Sequence, residues 1–297
     1  MTSLDEKRNL SAMFRPRVAV ALAILISPVP LHAAQSDCPD VLDYAEWQES
    51  RAQQWNFQSS ALSIVGARHS RDPADGQFAE IDAAIEDFRP TVVFYEGPDR
   101  GMAATVSETI ADFGESGFLR YLARERGVPA RSLEPSPADQ MKELQSRFPV
   151  HEILLFFTLR EAVRLRDREG LSGAKLDARI GALLESMRSL AAAIGLDQSI
   201  GSVADLQQQS ERLWPGRRWQ DAEARWFSPT ADDEETGGVV MGAINRADSS
   251  IRDRHFVRLL AEAVRAGERP FVVVGRNHVP MIAPALTCAV GMTAGER

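Results

Sequence analysis

At 297 residues, with 44% hydrophobic and 26% charged residues, the chain has the composition of an ordinary globular protein. A formal net charge of −8 and the lack of a Lys/Arg-rich block exclude a general nucleic-acid binder, which needs a concentrated basic surface to neutralise phosphates.

Met13-Phe14-Arg15-Pro16-Arg17 supplies a positive segment, and Val18 to Ile26 is an unbroken apolar run. Ser27, Pro28 and Pro30 interrupt it, and Leu31-His32-Ala33-Ala34 offers small residues for cleavage. That order predicts a signal peptide over residues 1–34, cleaved near Ala34, with Met13 as an alternative start; the competing reading is an uncleaved signal anchor. The mature chain is therefore expected to be exported, to the periplasm. It should not span the membrane, since no later segment reaches the roughly 18 apolar residues a transmembrane helix needs. Cys38 and Cys288 lie near its two ends. Export makes a disulfide between them possible, and two separately buried thiols are the alternative. No C-x-x-C or other Cys/His zinc spacing is present.

Residues 41–60 read as a helical or irregular lead-in. An α/β rhythm follows. Ala61 to Val65 is a short apolar strand ended by Gly66, and Phe78, Ile81, Ile85 and Phe88 recur at helical spacing over 77–88. Pro90 stops that helix and Thr91 to Tyr95 is a second buried strand, so the two strands should be parallel parts of a right-handed βαβ unit. A helical pair punctuated by Gly114 and Gly117 covers 102–126, and Ala130 to Leu133 is a weaker strand. The stretch 137–226 is mostly helical and reads as an insertion. Asp232 to Gly238 reads as an acidic loop, and Ser250-x-x-Asp253 as a capping box opening a helix over 251–266. Pro270 to Val274 is the last strand. The fold class expected is α/β: one domain over 35–297, a mostly parallel sheet with flanking helices and a helical insertion.

The strands end in chemistry. Gly66-Ala67-Arg68-His69 follows the first, Glu96-Gly97-Pro98 the second, Glu134-Pro135 the third and Gly275-Arg276-Asn277-His278 the last. In parallel sheets the C-terminal edge is where ligands bind, and glycine after a strand lets the backbone turn and leaves room for the next side chain. Two histidines with one or two carboxylates can hold a metal that activates water, and His69, Glu96 and His278 are the candidate ligands. Without metal, one histidine can serve as general base, a carboxylate fixing its tautomer. Each residue also has an ordinary structural reading: helix cap, core histidine, turn cap or solvated glutamate. Arg68, Arg276 and Asn277 are further candidates for binding a carboxylate or an oxyanion. Arg252, placed by this reading in the first turn of a helix, would oppose the helix dipole, which suggests a specific role. His151-Glu152 does not continue to H-E-x-x-H, and no G-x-S-x-G, P-loop or G-x-G-x-x-G occurs.

In this order the residues resemble the TraB/PrgY/GumN family, which includes the Tiki metalloproteases. The shared pattern is the first G-x-x-H, then P-x-V-V-x-x-E (Pro90 to Glu96), L-E (Leu133-Glu134), R-N/D (Arg252-Asp253) and the second G-x-x-H. It covers roughly 61–135 and 250–286. The resemblance implies a Tiki/erythromycin-esterase/ChaN-like fold and, for Tiki members, divalent-metal-dependent peptide hydrolysis. It assigns His69, Glu96 and His278 to the catalytic or metal centre, with Glu134 and Arg252 supporting. The function expected is thus an exported metal-dependent hydrolase, a peptidase using Mn, Co or Zn on a peptide or small-molecule substrate. The alternatives are a metal-independent esterase-like hydrolase and a ChaN-like protein that binds haem, metal or a small ligand without turnover.

Overall fold

The computed structural model describes residues 38–45, 54–196, 200–229 and 238–291. The signal peptide expected over 1–34 and most of the acidic loop expected over 232–238 lie outside the described residues. Among the described residues no helix is long and apolar enough to cross a membrane.

The chain runs β1 (Asn56–Gln58), β2 (Ser63–Ala67), α1 (Gln77–Phe88), β3 (Val92–Tyr95), α2 (Val106–Glu125), β4 (Ala130–Ser132), α3 (Pro137–Gln145), α4 (Val150–Glu169), α5 (Gly173–Ala193), α6 (Val203–Leu213), α7 (Gly238–Arg265), β5 (Pro270–Gly275) and α8 (His278–Ala289). The sheet order is β1-β2-β5-β3-β4; β2, β5, β3 and β4 are parallel and β1 pairs antiparallel with β2. The fold is α/β with a mostly parallel, five-stranded mixed sheet. β2 and β3 are parallel as expected but are not neighbours, because β5 enters between them. β5, Pro-Phe-Val-Val-Val-Gly, is buried at every residue, as a central strand covered on both faces must be. The irregular lead-in expected over 41–60 contains β1.

Alternation along the strands sorts side chains to two faces. Ile64, Val92, Phe94, Val272 and Val274 pack with Phe256, Leu260, Val279 and Ile282 on one side. Val93, Tyr95, Phe271 and Val273 pack on the other with Phe78, Ile81, Ile85, Phe118 and Leu122. α1 is helical because its apolar residues recur every three or four positions, and it ends where Arg89 adopts a left-handed φ of 51° before Pro90. α2 starts with a Thr105–Glu108 capping box.

The helical insertion has its own core. Residues of α3 to α6 (among them Phe156, Leu159, Ile180 and Leu206) join Trp214, Trp226 and Phe227 and, from α7, Met241, Ile244, Ala247 and Ile251. α7 thus serves both cores, the insertion with its first half and the sheet with its second. This corrects the expected capping box: Ser250 and Asp253 lie inside α7, where backbone N–H groups already have helical partners, and Asp253 is fully buried. For the same reason Arg252 is a mid-helix residue, and the dipole argument for it falls away.

The two cysteines form the disulfide Cys38–Cys288, joining residues 250 positions apart. The segment beside Cys38 is also held by a two-pronged Asp40–Arg254 pair at 2.7–3.0 Å and by the Leu42 N–H donating to the Met281 carbonyl at 3.0 Å.

Candidate active site

The strand order decides what meets. β2, β5, β3 and β4 stand side by side, so the residues just past their C-terminal ends, His69, His278, Glu96 and Glu134, form one row. Register levels them: Ala67 pairs with Gly275, and Tyr95 with Val273 and Ser132.

Arg252 of α7 ties the row together. Its Nε and Nη2 donate to Glu134 at 2.8 and 2.7 Å, and Nη2 also donates to Glu96 Oε1 at 2.7 Å. Its side chain is 8% exposed, against 16% for Glu96 and 22% for Glu134. The other Glu96 oxygen accepts the Gly275 N–H at 2.6 Å, and Glu134 Oε1 accepts the Gly97 N–H at 2.9 Å. Burial pushes the Glu96 carboxyl up, but the charges of Arg252, His278 and His69 together with the Arg252 hydrogen bond outweigh it and hold it far below the usual carboxylate range. Glu134 is likewise lowered, burial opposing and Arg252 prevailing. Arg252 itself is raised, because the two carboxylates outweigh its desolvation. A carboxylate held so far down is a poor proton acceptor at neutral pH, so Glu96 anchors charge in this site and takes no proton.

Both histidines are oriented by carboxylates. His69 Nδ1 lies 2.5 Å from Glu115 Oε1, and since a carboxylate only accepts, Nδ1 carries the proton and Nε2 keeps its lone pair. The hydrogen bond to Glu115 raises the His69 pKa, with the charge of Glu96 assisting and burial opposing. The His69 side chain remains 55% exposed. His278, the first residue of α8, places Nδ1 2.5 Å from Asp253 Oδ1. Its Nε2 faces Arg252 Nη1 at 3.5 Å and Glu96 Oε1 at 3.7 Å. The Tyr44 hydroxyl lies 3.3 Å from His278 Nδ1, and burial, then the charge of Asp253, raises its pKa.

The glycines of the two G-x-x-H motifs serve by smallness. Neither has a positive φ. A Cβ on Gly275 would lie 3.0 Å from His69 Nε2 and 3.1 Å from Glu96 Oε2, and one on Gly66 would lie 2.3 Å from the Trp55 carbonyl of the chain leading into β1. Close approach, of neighbouring backbone at Gly66 and of site side chains at Gly275, is the reason for these glycines, and a tight turn is not.

The structure brings His69, Glu96, His278, Glu134 and Arg252 into one site. Arg68 and Arg276 turn away from it: Arg68 pairs with Asp75 at 2.9 Å, and Arg276 stacks over Trp55 at 5.0 Å. Asn277 Oδ1 is buried without a hydrogen-bond partner. Glu115, Asp253 as a histidine partner, and Tyr44 were not legible as site residues. Glu115 follows Gly114, whose non-helical backbone (φ 61°, ψ −151°) kinks α2, and that glycine inside a helical pattern was the available signal.

At the candidate metal donors a cation of the protein itself, Arg252, already stands. No group of three His, Cys, Asp or Glu among the described residues stands close enough to hold an ion. The Arg252 guanidinium touches both Glu96 and His278, and so supplies the positive charge at the point where those two would share a cation. Against this, each histidine gives its Nδ1 to a carboxylate and turns Nε2 inward, an arrangement that ligating histidines also use. Protein-family models, curated proteins and solved structures were all compared with this chain, and none matches it.

Proposed function

We propose that the chain is an exported hydrolase of the Tiki/erythromycin-esterase-like class, cleaving an acyl bond by direct attack of water with His69 as general base. The observation that carries this reading is His69 itself: a half-exposed imidazole with its proton side fixed by Glu115 and its lone-pair side facing a row of strand-end polar groups. Among the described residues, both thiols and two hydroxyls at the strand ends are engaged. Both cysteines are in the disulfide, while Ser116 and Ser132 donate to the carbonyls of Glu96 and Gly97 at 2.7 and 2.9 Å. His69 Nε2 takes a proton from water as the water oxygen bonds to the acyl carbon. In this reading the Arg252 guanidinium supplies fixed positive charge for the developing oxyanion, and collapse returns the proton from His69 to the leaving group as the acyl bond breaks. The disulfide supports export, since such bonds persist in oxidising compartments.

A second reading, divalent-metal-dependent hydrolysis of peptides, is favoured by the two carboxylate-held histidines. His69, Glu96 and His278 would hold the ion, which would supply Lewis-acid activation of water. Purified protein assayed on p-nitrophenyl esters and a peptide library, with chelator and with added Mn²⁺, Co²⁺ or Zn²⁺, separates the two. The expected result is turnover that survives chelation and falls by about 10²–10⁴ in kcat in His69→Ala. Turnover only with added metal selects the second reading, and none from folded protein under any condition overturns hydrolysis.

A further inference from the structure

Gln77 opens α1, where a polar side chain is usually solvated, yet it is only 6% exposed and turns back on the strand that leads to His69. The β2–β5 ladder ends at Ala67, whose carbonyl accepts the Arg276 N–H at 2.9 Å. Arg68 is the first residue beyond it, and both of its backbone groups go to one amide. Its N–H donates to Gln77 Oε1 at 2.9 Å, and its carbonyl accepts from Gln77 Nε2 at 3.1 Å. Nε2 also donates to Asp75 Oδ2 at 3.3 Å. A carboxylate only accepts, so Asp75 decides which end of the amide is nitrogen. Asp75 is itself held, its Oδ1 accepting from Arg68 Nη2 at 2.9 Å and from the Gln77 N–H at 3.0 Å. Asp75 therefore already serves the first turn of α1, and the Gln77 amide is spent on the strand end.

The Arg68 carbonyl belongs to the peptide group whose nitrogen is that of His69. That group is planar, so fixing its oxygen fixes the axis from which the His69 Cα and imidazole project. On the other side of His69, the Ser70 carbonyl lies 3.2 Å from where a Gly114 Cβ would be, so the α2 kink bounds the backbone there. His69 is thus held at three points: Gln77 before it, the kink after it, and Glu115 at the ring, 2.5 Å from Nδ1. The half-exposed imidazole has little packing of its own to orient it. Hydrogen bonds weaken steeply when misaligned, so its bond to Glu115 depends on where the backbone sets it.

We propose that Gln77 is a positioning residue for the general base: by clamping the Arg68–His69 peptide it keeps the imidazole aligned with Glu115 and Nε2 turned into the site. It touches no substrate and acts only through His69, so its part in catalysis rests on the reading of His69 as the base. Displacements of about 1 Å at a reacting group are enough to cost orders of magnitude in rate, which is why a clamp two bonds from the His69 Cα matters.

Gln77→Met keeps the side-chain length and removes the amide hydrogen bonds, and the exposed position of Arg68 lets water satisfy the released backbone groups. The His69 tautomer is read from imidazole nitrogen shifts in long-range proton–nitrogen correlation spectra at alkaline pH, with His69→Gln assigning the signals. Wild type should show the Nδ1–H tautomer, and Q77M should shift toward the Nε2–H form. On p-nitrophenyl esters kcat should fall by about 10-fold or more in Q77M at an unchanged KM. Gln77→Asn, which keeps the amide but is one methylene short, should lie between the two in both measurements. An unaltered tautomer or an unaltered kcat in folded Q77M overturns the proposal, whatever its melting temperature. If wild type turns over no ester, the catalytic reading has failed and the tautomer alone decides the clamp: a shift in Q77M supports it, and no shift overturns it.

Discussion

With its Nδ1 proton committed to Glu115, 46 positions along the chain, His69 has a single lone pair left, and the strength of that base is set by its partner. Because Glu115 raises the His69 pKa, the rising limb of the pH–rate profile should lie above the ordinary histidine value of about 6.5. In Glu115→Gln that limb should move to lower pH while kcat falls, since the imidazolium loses its counter-charge; an unmoved limb would assign the titration to another group. The same linkage has a stability sign. A raised folded-state pKa contributes stability that is fully present below about pH 6.5 and is lost as pH rises through the folded value. The melting temperature of wild type should therefore decline on the alkaline side, and that of Glu115→Gln less so. Glu96 and Glu134 behave in the opposite sense. Their depressed values give stability present above about pH 4.5 and lost as pH falls. Arg252→Met strips both of their buried cation and should cost about 3–5 kcal/mol in urea unfolding at neutral pH, with acid sensitivity appearing at higher pH than in wild type.

At the scale of elements, the kink in α2 and the interior of α7 do most to build the site. Gly114 at φ 61° and ψ −151° occupies backbone space that side-chain-bearing residues avoid, and a Cβ there would also press on the Ser70 carbonyl at 3.2 Å. Gly114→Ala should cost about 1–3 kcal/mol in thermal or urea unfolding and shift Glu115 away from His69, lowering kcat well beyond what the stability loss explains. An alanine variant with normal kcat would detach the kink from catalysis. The helix α7 carries Arg252 to the carboxylates and Asp253 to His278 from adjacent positions, and this is possible only because both residues point into its buried side. Helical periodicity over 77–88 was enough to place α1 to the residue, since one face is apolar and the other solvated. The same reasoning misjudged the start of α7. Its first half is covered by the insertion, so polar residues such as Asn245, Asp248, Arg252 and Asp253 are buried among partners and break the amphipathic pattern.

For the molecule as a whole, the disulfide is the longest-range tie. It clamps the segment carrying Tyr44 to α8, and Tyr44 touches the His278–Asp253 pair. Replacing both Cys38 and Cys288 by serine should lower stability by roughly 2–5 kcal/mol through the freed unfolded chain. It should also loosen the Tyr44 contact, so activity at 25 °C is expected to fall further than in Tyr44→Phe. Thiol titration of unreduced, denatured wild type should find no free thiol, and two titratable thiols would refute the pairing. The paired state could not be read from two cysteines alone, because the geometry that distinguishes a bridge from two buried thiols is set by how β5 and α8 bring the chain ends together.

The sequence by itself determined the α/β class, the strands β2 to β5 of a mostly parallel sheet though not the antiparallel β1, and the four residues that stand just past the strand ends, because short β-branched runs, helical periodicity and glycine or proline punctuation are local signals. It also named Arg252, by resemblance. What only the tertiary structure decided is the order in which strands stand and the partners the site residues choose. β5 stands between β2 and β3, buried on both faces as β3 also is, and that placement sets His278 between His69 and Glu96. Glu115 and Asp253 find the two histidines across 46 and 25 positions of chain, and Arg252 reaches Glu96 across 156. Charge pairing over such separations follows from packing, which no local pattern encodes.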